Sequence, residues 1–129
     1  MRSRILVVHN FYQRRGGEDS VVEAEIELLR THGHEVRTYF RHNDDLASTY
    51  ALAAGSNTLW SSRTVREIAQ IAAQFAPDLI HAHNTFPLIS PSLFWAAART
   101  GTPTVQTLHN FRLLCPQAMF LRHGQICED

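Results

Sequence analysis

Ile5-Leu6-Val7-Val8 is a short, unbroken apolar run rich in aliphatic and β-branched residues. A parallel strand covered on both faces reads this way. Working outward, His9 to Asp19 is polar and contains Gly16-Gly17, which predicts a loop. A helix is expected from Ser20 to His32. Ser20 and Glu23 have capping-box spacing, and Val22, Ile26 and Leu29 share one face. Gly33 supplies a left-handed stop, and Val36 to Phe40 is the second expected strand.

Arg41 to Ser62 is polar, then Ala-rich around Ala51 to Ala54, with room for a short helix. Thr64 to Gln74 reads as a helix with Val65, Ile68, Ala72 and Phe75 at helical spacing, ended by Pro77-Asp78. Leu79 to Ala82 is the third expected strand. Ser90 as cap and Pro91 at the first helical position open another helix, with Leu93, Phe94, Ala97 and Ala98 on its face. Gly101 and Pro103 close it, and Thr104 to Leu108 is the fourth expected strand. The pattern weakens after Asn110. This alternation predicts an α/β fold: an open parallel sheet with helices on both faces.

The length of 129 residues fits one domain. Twelve basic and twelve acidic residues cancel, which argues against a free-standing nucleic-acid binder. With 44% hydrophobic and 19% charged residues, the composition argues for a globular fold and against disorder. No apolar run approaches the ~20 residues of a membrane-spanning helix. Ile5 to Val8 is too short for a signal-peptide core, so a cytoplasmic location is expected. Cys115 and Cys127 do not make a disulfide scaffold and read as free thiols, or as half of a metal site completed beyond residue 129.

Each expected strand is followed by His-Asn: His9-Asn10, His42-Asn43, His83-Asn84 and His109-Asn110. Ligands of open parallel sheets bind outside the carboxyl ends of the strands. A polar, ligand-facing edge is therefore expected, although Asn also suits a plain turn leaving a strand. Gly16-Gly17 precedes a helix N-terminus, where backbone N–H groups can approach an anion. An ordinary flexible turn is the other reading. G-x-G-x-x-G is absent, and a phosphate loop ending in Gly-Lys is impossible because all basic residues are Arg. His81-Ala82-His83 is strand-spaced, but its two histidines are expected on opposite faces. With no H-E-x-x-H present, the eight histidines are assigned no metal. A Ser-His-Asp system is not evident, since G-x-S-x-G is missing.

Five segments together resemble the N-terminal domain of family 4 glycosyltransferases, and the stretches His83 to Pro91 and His109 to Cys115 resemble one bacterial subgroup of that family. The five segments are Ile5-Leu6-Val7-Val8-His9, Gly16-Gly17-Glu18, Gly33-His34-Glu35-Val36, Pro77 to His83, and Gly101-Thr102-Pro103-Thr104-Val105 leading to Thr107-Leu108-His109. The resemblance runs over nearly the whole chain. It implies a Rossmann-like half of a GT-B fold. It also implies retaining transfer of a hexosyl group from a nucleotide-diphosphate sugar to a sugar or lipid-linked hydroxyl acceptor, in polysaccharide or cell-envelope synthesis. By position, His109 would contact the reacting sugar or phosphate, and Gly16 and Gly17 would face the diphosphate and acceptor. His83, Asn84 and Thr85 would line the cleft edge. The family often has Asp or Tyr where this chain has Asn110.

The resemblance further implies no cofactor, and a C-terminal donor-binding domain as partner. Residues 1–129 would form a partial N-terminal domain, inactive alone and free to work at the inner membrane face. Glu27 and Glu35 match the spacing of the family's donor motif but fall in the wrong domain. A stand-alone flavodoxin-like binding or regulatory module is the alternative reading of the same alternation.

Overall fold

β1 (Arg4–Phe11) lies inside a parallel sheet, paired on one side with β2 (Glu35–His42) and on the other with β3 (Leu79–Ala82). β4 (Thr104–Gln106) joins the free side of β3, giving the order β2-β1-β3-β4. The structure is a computed structural model and describes residues 2–44, 58–115 and 117–127. The Ala-rich stretch around Ala51 to Ala54 lies outside the described residues.

Alternation along β1 splits the core into two layers. Ile5 and Val7 face α1 (Gly17–Thr31), against Val22 and Ile26. Leu6 and Val8 face the opposite layer. There they meet Ile68 of α2 (Ser62–Phe75) and Leu93, Ala96 and Ala97 of α3 (Ser92–Thr100). Ile80 and Ala82 of β3 join that second layer, which leaves His81 and His83 on the α1 side. Each large side chain such as Leu93 or Ile68, fully buried here, contributes about 1.5–3 kcal/mol. The Rossmann-like α/β architecture expected from the alternation is present.

Helix starts differ from expectation for local reasons. α1 begins at Gly17, not Ser20, because the Asp19 carboxylate at the third helical position accepts the Gly16 N–H at 2.9 Å. α3 begins at Ser92. Ser90 holds a left-handed φ of 63° and stands outside the helix, and Pro91 takes the cap position. α2 starts two residues earlier than expected, with Ser61 Oγ accepting the Thr64 N–H at 3.2 Å. Gly33 (φ 84°) and Gly101 (φ 70°) end their helices in the left-handed region, as their positions predict.

Three strands also differ. β2 runs from Glu35 to His42, so His42 ends the strand and does not follow it. β1 runs on to Phe11, so His9-Asn10 lies inside it and not after it. β4 stops at Gln106, though the Thr107 N–H still reaches the Ala82 carbonyl at 2.9 Å. Beyond it, β5 (Leu121–Arg122) and β6 (Gln125–Ile126) form an antiparallel ribbon. Its turn residues, His123 and Gly124, both have positive φ, the conformation that a two-residue hairpin with right-handed strand twist requires.

Candidate functional site

The carboxyl ends of β1, β2 and β3 are tied by asparagines. Asn10 Nδ2 donates to Asn43 Oδ1 at 2.7 Å, and Asn84 Nδ2 donates to the Asn10 carbonyl at 2.9 Å. Asn84 Oδ1 accepts the Phe86 N–H at 3.1 Å, so both ends of this amide hold the loop after β3. Three of the four His-Asn pairs thus meet through these bonds. The fourth joins through its histidine: His83 Nδ1 and His109 Nε2 are 3.0 Å apart, with rings stacked 5.2 Å between centroids.

His9 is fully buried beside Asp19. Its Nε2 donates to Asp19 Oδ1 at 2.8 Å, and its Nδ1 faces the Asn84 N–H at 3.4 Å. Burial holds the His9 pKa below the ordinary histidine value, although the Asp19 carboxylate pulls the other way. The neutral ring suits this donor-and-acceptor pattern. Asp19 therefore pins the first turn of α1 to β1 through His9, while its other oxygen closes that turn at Gly16.

His81 and His83 do not point to opposite faces. Residues two apart on a strand share a face, and their rings lie 4.4 Å apart. Glu25 of α1 reaches both: Oε1 is 2.7 Å from His81 Nδ1, and Oε2 is 3.6 Å from His83 Nε2. The reason given for assigning these histidines no metal role is thereby overturned. Burial, with His81 and His109 close by, pushes the His83 pKa down to about 3. His109 is lowered as well, chiefly by burial.

A cavity of about 300 Å³ opens at this edge. His83, Asn84, Thr85 and His109 line it, together with Asn110, Glu18 and Arg112. Burial and the neighbouring Asp19 raise the Glu18 pKa, while Arg112 draws it down. The Arg112 guanidinium sits 4.5 Å over the Phe86 ring. Four of the six sequence-predicted site residues thus converge on one space. Gly16 and Gly17 do not line it. They lead into α1 just before Glu18, in a first turn that already carries two carboxylates.

Sequence reasoning missed Glu18, Glu25 and Arg112. A signal existed for Glu25, which stands beside Val22 and Ile26 on the buried side of α1. Arg112 carried no such signal, because its place depends on the fold of the segment after β4.

No helix among the described residues is long and apolar enough to cross a membrane. No curated protein and no solved structure matches the chain. The family model described as a glycosyl transferase 4-like domain does match, over residues 16–126. That span takes in α1, the whole of β3 and β4, and every residue placed at the cavity. The chain belongs to the glycosyl transferase 4-like domain family.

Proposed function

We propose that this domain is the acceptor-side half of a retaining glycosyltransferase that moves a hexosyl group from a nucleotide-diphosphate sugar to a hydroxyl acceptor. One observation carries the reading. In a chain of this family, His83, Asn84, Thr85 and His109 converge on one cavity at the carboxyl edge of the parallel sheet.

In this reading His109 contacts the reacting sugar from the end of β4. Thr85 offers a hydroxyl, and Glu18 accepts hydrogen bonds from sugar hydroxyls. Arg112 supplies positive charge toward the departing diphosphate. Catalysis then rests on positioning and on electrostatic stabilisation, with a donor-binding domain closing over the edge. The acceptor is a sugar or a lipid-linked sugar, with polysaccharide or cell-envelope synthesis as the setting, on the cytoplasmic side of the membrane.

The test is a titration of nucleotide-diphosphate sugars followed by amide NMR shifts. Shifts grouped at Thr85, His109 and Arg112 are expected. Shifts centred away from this edge would remove the assignment.

A further inference from the structure

We propose that Glu25, His81 and His83 form a binding site for a divalent transition-metal ion, with Zn²⁺ the best match to the donor set. The site lies between α1 and β3. The reading is independent of the sugar chemistry proposed above.

The donors already converge. His81 Nδ1, His83 Nε2 and the Glu25 carboxylate lie within 4.8 Å of one another. A tetrahedral ion with donors at about 2.1 Å would space them roughly 3.4 Å apart. That separation falls inside the span seen here, so small side-chain shifts complete it.

The second nitrogen of each ring is engaged. His81 Nε2 is 2.8 Å from Thr107 Oγ1, and His83 Nδ1 is 3.0 Å from His109 Nε2. Metal-bound histidines commonly donate their other N–H to such a partner, which fixes the tautomer and the ring. His81 Nδ1 stands 2.7 Å from a Glu25 carboxylate oxygen, a contact that a proton on Nδ1 holds in the metal-free protein. When the ring instead gives its Nε2–H to Thr107, the Nδ1 lone pair is free for a metal ion.

A proton on His81 would satisfy that pair alone. It would leave His83 Nε2, which is fully buried and has no hydrogen-bond partner among the described residues. Its nearest acidic atom, Glu25 Oε2, is 3.6 Å away, beyond hydrogen-bond reach. A metal ion satisfies all three donors at once. Two imidazoles and one carboxylate suit Zn²⁺ and its neighbours, whereas Mg²⁺ and Ca²⁺ prefer oxygen-only sets. Glu25 is 26% exposed, so an ion can enter from solvent and keep a water ligand. Bound there, it would clamp α1 to β3 and hold the His83 ring against His109.

The test uses chelator-treated protein titrated with Co²⁺ and then Zn²⁺. One Co²⁺ per chain is expected, with the intense visible absorption of a four- or five-coordinate ion, bleached by Zn²⁺ and unmoved by Mg²⁺. Glu25→Gln should weaken Co²⁺ binding by at least about tenfold. His123→Gln, at the exposed β5–β6 turn, should leave it unchanged. In the wild-type protein, Zn²⁺ should shift the ¹⁵N resonances of His81 Nδ1 and His83 Nε2, a readout that needs no variant to fold. Absence of the visible band, binding that survives Glu25→Gln, or Zn²⁺ shifts confined to other histidines would each overturn the proposal.

Discussion

His83 and His109, 26 residues apart in sequence, share a hydrogen bond of 3.0 Å and stack at an interplanar angle of 20°. The contact joins the end of β3 to the end of β4, two strands set parallel by the registers His81↔Val105 and Ala82↔Gln106. The fully buried ring orients the half-buried one. His109 therefore reaches the cavity with one side fixed, which costs little side-chain entropy when a ligand binds.

His109→Ala is expected to weaken binding of a nucleotide-diphosphate sugar about tenfold, the effect of one hydrogen bond worth about 1–1.5 kcal/mol. The same NMR titration measures it. Unchanged affinity would remove His109 from the site.

Asp19 satisfies both the Gly16 N–H and the His9 ring while fully buried. Asp19→Ala strands both donors and should destabilise the fold by about 2–4 kcal/mol, each unpaired buried group costing about 1–3 kcal/mol. Asp19→Asn keeps one acceptor oxygen and should lose less. Urea denaturation of the two variants checks the order. Equal losses would show that Asp19 acts only through its charge.

Acid should weaken the protein well before its carboxylates titrate. His9 and His83 have folded-state pKa values below the unfolded value of about 6.5, His83 reaching about 3. Below pH 6.5 the unfolded chain therefore binds more protons than the folded one. Stability is present above that pH and is lost as pH falls toward the folded pKa values. For His83 the slope is about 1.4 kcal/mol per pH unit between the two values, and His9 adds in the same direction. Urea midpoints at pH 8, 6 and 5, with chelator present, measure it. A midpoint independent of pH over this range would contradict the buried neutral histidines.

Leu93→Ala removes a fully buried side chain between α3 and the sheet and should cost about 2–5 kcal/mol. Trp95→Ala on the same helix removes a ring that is 42% exposed and should cost less. Comparing the two by thermal unfolding tests whether α3 is held by its inner face. A larger loss for Trp95→Ala would mean that its contacts with Trp60 and Arg99 dominate.

Much of the architecture was legible because it is written in local rules. The apolar run Ile5 to Val8, the helical spacing of Val22, Ile26 and Leu29, and the glycines at 33 and 101 depend on periodicity and allowed φ. The β5–β6 ribbon was not legible, because two-residue strands carry no period. The start of α1 was misplaced because its cap, Gly16, has no side chain to announce it; the Asp19 carboxylate at the third helical position reaches back to the Gly16 N–H instead.

The sequence by itself determined that β-strands and helices alternate and that His-Asn pairs gather toward strand ends. The tertiary structure alone decided which of those residues meet. Parallel pairing of β3 with β4 brings His83 to His109, and packing of α1 on the sheet lowers Glu25 onto His81 and His83. Such contacts join residues 26 to 58 positions apart. No periodicity encodes them, because strand register and helix docking are set by the whole buried core rather than by neighbours along the chain.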